Sequence, residues 1–343
     1  MSGTSLDGVD IAYCEFEKTG EKWTFKIPFA ETIPYTDRWK NLLSNVMHGS
    51  AAELAALHCE AGRYYASCIN NFMQQNKIQP HFIASHGHTV FHQPDKKFTL
   101  QIGDGATLAA LTGFDVICDF RAKDIALGGQ GAPLVPVGDA LLFSDYRFCL
   151  NLGGIANITV TDELVAFDVC PANMPLNDLV ASENLACDMD GRIAKSGNTD
   201  ASLLHKLNAL SYYRQKYPKS LGREWYEAEF SPLIKNNLPL QDNLHTICDH
   251  IAVQIASVIN AFNGKSTDKL LITGGGAFNP AITDAIKKHC NIEVVIPFKN
   301  IIEFKEAMIF AFLGVLFKRD ENNVLSKVTG ALRDHTGGAL YKK

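Results

Sequence analysis

The chain has 343 residues, 46% hydrophobic and 20% charged, with a formal net charge of -5. That length suits two lobes rather than one core, and so small a negative charge gives no electrostatic reason to expect nucleic acid or an anionic membrane as partner. Nine scattered cysteines, an odd number with no C-x-x-C, argue against a disulfide framework or a zinc ribbon and fit a reducing, cytoplasmic setting.

The chain opens without a signal-peptide pattern. Residues 11–16 alternate loosely and predict a strand, with 23–27 as its hairpin partner. From 36 to about 75 the text is helical, and 51–57 carries strong helix formers with apolar residues three and four apart. Short strands are expected over 81–85, 100–103 and 116–119, with a loop over 85–89 and a helix over 107–111 that Gly113 stops. The turn-rich stretch 127–133 marks tight bending or close backbone approach, and the lobe boundary is placed near it. Residues 149–152 and 158–160 read as a hairpin around Gly153-Gly154, 176–185 as helix and 224–240 as mixed and polar. A long amphipathic helix covers 249–262; then follow a strand (269–273), a helix (280–289), a strand (293–296) and a buried helix (302–317). The apolar run 307–317 inside that helix is too short to span a bilayer. Each half holds strands and flanking helices, an α/β class with two lobes. The first lobe is expected to be residues 1–125 plus 326–343, the second 126–325.

Three glycine loops have the look of phosphate sites. The first, residues 2–10, packs Gly, Ser and Thr beside carboxylates, so that backbone N–H groups and hydroxyls can face phosphate oxygens. Asp7 or Asp10 in it could hold Mg²⁺, directly or through water; the G-x-x-x-x-G-K-[ST] spacing is absent, and an ordinary hairpin turn is the competing reading. The second, Gly153-Gly154 between two apolar strands, is alone only a tight turn. In the third a buried strand enters Gly274-Gly275-Gly276 and a helix follows, a geometry that lets backbone lie against a ligand at a helix N-terminus.

Several side chains stand out singly. His86, His88 and His92, with His81, are too loosely spaced for zinc and read as hydrogen-bonded polar residues. Arg121 sits between Asp119 and Asp124, either as a structural ion pair or as a cation aimed at a polar ligand. Glu306 on an apolar helix needs a partner, for which a nucleotide ribose or a backbone group would serve. The segment 218–224 reads as cleft lining or as a solvated connector.

Together the segments 1–8, 85–89, 119–121 with 128–133, 151–157 and 274–277 resemble the anhydro-N-acetylmuramic acid kinases, from Met1 to about Gly330. The resemblance implies an actin/hexokinase-like (ribonuclease H-like) fold with an ATP cleft between lobes. It implies ATP- and Mg²⁺-dependent opening of 1,6-anhydro-N-acetylmuramic acid by water with phosphorylation at O6, in peptidoglycan recycling, and a homodimer at family level. On it, Gly3, Thr4, Ser5, Leu6, Asp7, Gly8, Val9 and Asp10 cradle ATP phosphates, with Gly153, Gly154, Gly274, Gly275, Gly276 and Glu306 also on the nucleotide and Asp7 on Mg²⁺ through water. His86, His88, Thr89 and Arg121 face the sugar. A short apolar strand precedes the first loop in that family, so Met1 is expected to be an internal methionine. The alternative function is a nucleotide-binding paralogue without kinase chemistry.

The chain departs from the resemblance at the general base. The family pattern is D-T-G-P-G-N-x-L-x-D, whose last Asp deprotonates the attacking water. Here Asp168, Pro171 and Asn173 match, but Cys170 and Ala172 replace both glycines, Pro175 stands at the leucine position with Leu176 one residue later, and Asn177 stands at the base position. Asn177 cannot take a proton at neutral pH. Asp178 is one residue later, a rotation of about 100° on a helix. Asp178 is expected to serve, with Pro175 resetting the helix start so that it reaches the water; the alternatives are another cleft carboxylate such as Asp168, or loss of the base with weak or absent activity.

Overall fold

In the computed structural model, which describes residues 1–3, 6–235 and 237–343, the chain starts as an antiparallel hairpin of β1 (Gly8–Thr19) and β2 (Lys22–Pro34). Both strands run well beyond the short alternating stretches that predicted them. A shift of register between Tyr13 and Glu15 bends β1. Gly8 lies so close to the Ile33 carbonyl that a Cβ would collide with it. The predicted helical stretch is two helices, Asp37–Asn45 and Ala51–Asn76. Ser50 restarts the second with a full capping box: its hydroxyl takes the Glu53 N–H, and Glu53 takes the Ser50 N–H in return.

The strands β3 (Ile83–Ala84), β4 (His88–Gln93), β5 (Phe98–Ile102) and β6 (Val116–Cys118) follow. β3 pairs with β6 in parallel, and β4 with β5 antiparallel. β4 replaces the end of the expected loop: His88 faces Ile102 and Thr89 faces Gln101 across the ladder. Asp104 caps the helix Gly105–Thr112, and Gly113 at φ 74° closes it. Trp39, Leu57, Tyr65, Ile102, Leu108 and Val116 form the core of this part.

The next five strands are β7 (Phe148–Leu152), β8 (Ile155–Val160), β9 (Val165–Pro171), β10 (Lys269–Thr273) and β11 (Glu293–Val295), in the order β11-β10-β7-β8-β9. β11, β10 and β7 run parallel, and β8 and β9 complete an antiparallel meander. Phe148, Leu150 and Leu152 on β7 are fully buried, as a central strand covered on both faces requires. The helices Asn173–Val180, Leu240–Ala261 and Pro280–His289 belong to this part, and the long one supplies Ile247, Ile251 and Ile255 to its core. The helix Lys299–Lys318 carries the chain back, and β12 (Ala339–Tyr341) pairs antiparallel with β6.

The result is mixed α/β with two compact units. One is Met1–Leu142 with Phe304–Lys343; the other is Phe143–Glu303. Within the first unit a largely apolar groove of about 500 Å³ lies between β1 and β3, lined by Ile11, Phe16, Phe72, Phe82 and Phe310 among others. At its end Met1 and Asp10 exchange two backbone hydrogen bonds, and Ser2 bridges to His88.

Candidate functional site

In the second unit three backbone turns converge. The parallel strands β7 and β10 end side by side, pairing Asn151 with Thr273, and each runs straight into glycine. Gly274 has φ 80°, and a Cβ there would lie 2.5 Å from the Asn151 amide oxygen and 2.9 Å from Leu152 backbone atoms. A Cβ on Gly276 would meet the Leu152 side chain at 2.7 Å and Asn173 at 3.1 Å. The Gly153-Gly154 turn is then sewn to the start of the helix Asn173–Val180. The Asn173 N–H donates to the Gly153 carbonyl at 3.0 Å, and the Ala172 and Met174 N–H groups donate to Gly154 at 2.8 and 3.1 Å. The Asn173 side chain donates to the Leu152 carbonyl at 2.9 Å. Asn173, matched in the motif but given no role by sequence reasoning, is thus the clamp that joins the glycine turns. What results is a surface of backbone, without bulky side chains, at the ends of parallel strands and beside a helix N-terminus, a setting suited to anionic ligands.

The same helix carries the base candidates. It starts at Asn173, not at Pro175, which sits inside the first turn where its missing N–H costs little. Asn177 and Asp178 are both exposed near its end. One oxygen of Asp178, Oδ2, accepts from the Tyr226 hydroxyl at 2.8 Å, and the Arg223 guanidinium, paired with Glu227 at 2.8 Å, adds positive potential nearby. Asp168 lies on β9 and is tied down: its carboxylate takes the Leu221 N–H at 2.8 Å, and its carbonyl takes the Tyr212 hydroxyl at 2.6 Å. Burial raises its carboxyl above the usual range, and the Leu221 N–H partly opposes this. The segment 218–224 therefore braces Asp168, a role that its sequence did not signal. Tyr226 lay in a stretch that read only as mixed and polar.

In the first unit the cluster is made of side chains. Arg121 leaves β6 through Asp119, at φ 55°, and the buried Phe120. Its Nε donates to His86 Nε2 at 2.9 Å, its Nη1 donates to the Gly131 carbonyl at 2.7 Å, and its guanidinium lies 5.6 Å from the Phe310 ring centre. His86 Nδ1 lies 3.0 Å from the Gly87 carbonyl, which can only accept. The imidazole is therefore neutral, with its proton on Nδ1 and its other nitrogen receiving from Arg121. Burial first, and the Arg121 charge second, hold its pKa far below that of an ordinary histidine. Burial also lowers the guanidinium's pKa, with Glu306 opposing.

The turn-rich stretch near 130 serves this cluster. The fully buried Asp124 takes the Gly131 N–H at 2.6 Å and the Thr329 hydroxyl at 2.7 Å, and a Cβ on Gly129 would strike its carboxylate. Asp124 thus shapes the loop whose carbonyl fixes Arg121. Glu306 stands one helical turn before Phe310 on the helix Lys299–Lys318. The residue keeps exposed surface, yet loss of hydration where its carboxyl sits raises its pKa, with Arg121 the leading opposing influence.

His88 is elsewhere: it is buried, its Nδ1 is 3.0 Å from the Ser2 hydroxyl, and Ser2 in turn receives from Tyr35 at 2.7 Å. Thr89 is half-buried on β4. Gly3, Leu6, Asp7, Gly8, Val9 and Asp10 form the entry to β1; Thr4 and Ser5 lie outside the described residues. Asp7 is exposed, and Asp10 accepts from Thr32 at 2.6 Å. Among the described residues no group of three His, Cys, Asp or Glu is arranged to hold a metal. The exposed Asp7 carboxylate is an oxygen donor of the kind that Mg²⁺ uses through its own waters. Among the described residues, too, no helix is long and apolar enough to cross a membrane.

A family model described as anhydro-N-acetylmuramic acid kinase matches residues 1–343. The chain is 35% identical over 364 residues to the anhydro-N-acetylmuramic acid kinase of Francisella tularensis subsp. novicida (strain U112), covering 96% of this chain and 94% of that one. It is 37% identical over 364 residues to that of Shewanella oneidensis, covering 99% and 97%. It is 34% identical over 365 residues to that of Vibrio vulnificus (strain CMCP6), covering 100% and 97%. Among solved structures, the activator of 2-hydroxyisocaproyl-CoA dehydratase from Clostridium difficile with bound ADPNP matches at TM-score 0.37 and 16% identity, covering 66% of this chain and 89% of that one.

Proposed function

The chain belongs to the anhydro-N-acetylmuramic acid kinase family, and on that premise we propose that it uses ATP to convert 1,6-anhydro-N-acetylmuramic acid to N-acetylmuramic acid 6-phosphate in cytoplasmic peptidoglycan recycling. The observation that carries this reading is the family match along the whole chain. The backbone surface at Gly153, Gly154 and Gly274–Gly276 supports it, being what a nucleotide's phosphates or sugar need close by. The actin/hexokinase-like architecture belongs to the same reading.

In the reaction, water attacks C1 and gives a proton to the base, the C1–O6 bond breaks, O6 bonds to the γ-phosphorus, and the bond from that phosphorus to ADP breaks. Asp178 is assigned as the base, because it is an exposed carboxylate with one oxygen already held in place. Asn177 cannot serve, and Asp168, half-buried on β9, is the less accessible of the two carboxylates. Arg121 is assigned to the sugar, with His86 holding the guanidinium in orientation. Asp7 would hold Mg²⁺ through water, and the ion would supply charge neutralisation to the transferred phosphoryl group.

The test is purified protein with ATP, Mg²⁺ and the anhydro sugar in ¹⁸O-water, read by mass spectrometry. The expected product carries one ¹⁸O, at C1, and one phosphoryl group, with ADP in equal amount. Nucleotide binding with no phosphorylated sugar would overturn the reading in favour of a paralogue without kinase chemistry.

A further inference from the structure

Resting on the kinase reading above, we infer that Tyr226 is the residue that positions the Asp178 carboxylate for proton abstraction. Tyr226 is 1% exposed, whereas Asp178 is exposed. A buried tyrosine hydroxyl needs a partner, and any nearby carbonyl would satisfy it. This one reaches instead to a surface carboxylate on another element, at 2.8 Å. It holds Oδ2; among the described residues no side chain donates to Oδ1.

The donor is itself braced. The buried Ser231 lies at the Tyr226 hydroxyl, where its side chain acts to lower the phenol's pKa. Burial first, and the Asp178 bond and charge next, nevertheless keep the phenol's pKa above its usual range, so Tyr226 remains a donor. The backbone that carries it is a π-helical turn, Tyr226–Phe230, closed by the Ser231 N–H on the Tyr226 carbonyl. Such turns are rare and are found mostly at functional positions. Phe230 and Ile234, on the same segment, are buried in the core of the unit and anchor it.

The arrangement also answers the sequence's own problem. The carboxylate stands one residue past the family's base position, about 100° around the helix, so the original orientation cannot be inherited. A separate holding bond from outside the helix is what a displaced base needs.

The experiment compares wild type, Tyr226→Phe, Ser231→Ala and Asp178→Asn in steady-state ADP release with the anhydro sugar, alongside ATP binding by calorimetry. Tyr226→Phe is expected to lower kcat about 10- to 100-fold, the range for one hydrogen bond to a charged group. KM for ATP and for sugar should stay within about twofold, since the bond acts through the base and not through either ligand. Ser231→Ala should lose less in the same direction. Wild-type kcat in Tyr226→Phe, a loss confined to KM, or a joint loss of ATP binding would overturn the inference. So would full activity in Asp178→Asn. An inactive wild type that still binds ATP would overturn the kinase reading itself.

Discussion

The second unit builds its candidate site from backbone, while the first builds its own from side chains. Around Gly153, Gly154, Asn173 and Gly274–Gly276 the geometry is set by hydrogen bonds between main-chain groups and by the absence of Cβ atoms. Around Arg121 it is set by a guanidinium, an imidazole, a phenyl ring and the carboxylate of Asp124. Surfaces of the first kind tolerate changes of side-chain chemistry nearby but not added volume. Those of the second kind tolerate volume but not a change of donor. The two units should therefore fail in different ways when altered, and Asp178, the base assigned on the kinase reading, is the sharpest case.

Asp178→Asn carries the largest expected effect. It keeps the shape and removes the proton acceptor, so kcat should fall by roughly 10²- to 10⁴-fold. ATP affinity should not change, because the glycine turns do not depend on the carboxylate. A fall in ATP affinity of the same size would erase the distinction drawn between the backbone surface and the assigned base.

Arg121→Lys tests the first unit. Lysine keeps the charge but cannot direct two fixed N–H bonds at His86 and Gly131 together. The expected result is about a 10- to 100-fold loss of kcat/KM for the sugar with KM for ATP unchanged. Wild-type behaviour in this variant would mean that charge alone matters there.

What could be read from the sequence follows the same division. Backbone sites announce themselves through glycine, so Gly153-Gly154 and Gly274–Gly276 were legible as loops, as were most strands and helices with clear periodicity. Their convergence was not, because it depends on β10 entering the sheet beside β7, and no local pattern contains the pairing of Asn151 with Thr273. The strand β4 was hidden because His88–Gln93 lacks strict alternation, and its pairing with β5 supplies the order. Arg121 was legible only as one of two readings; the Asp124 hub that shapes its loop involves Thr329, 205 residues away. Tyr226 had no sequence signal, since π-helical turns have no periodicity of their own.

Gly274→Ala probes the backbone surface directly. The added Cβ meets Asn151 and Leu152 while the residue holds φ 80°. Strain of this kind costs on the order of 1–3 kcal/mol. The variant should melt several degrees lower and bind ATP more weakly, while the Arg121 cluster keeps its function. Unchanged melting would show that the turn can open without cost.

The smallest effect concerns pH, and it compares one buried histidine in each unit. In the second unit His250 lies between the Tyr213 hydroxyl at 2.9 Å and the Asn208 amide oxygen at 2.7 Å, and burial pulls its pKa down to about 3. In the first unit His86 is depressed by burial and by Arg121. Both are neutral when folded but take up a proton near pH 6.5 when unfolded. Between that pH and the folded value the unfolded state binds more protons, so stability falls as pH falls, by up to about 1.4 kcal/mol per pH unit for each group. Glu306 and Asp168, whose pKa values are raised, act in the opposite sense, because the folded state holds their protons more tightly and acidification relieves the cost of their ionisation. That relief comes nearer the carboxylate range, so the histidines govern the first steps below pH 6.5. Melting temperatures should decline from pH 7.5 to pH 5, and His250→Gln should flatten the decline at a lower starting stability. An unaltered slope in that variant would remove His250 from the balance and leave the acid sensitivity to the first unit.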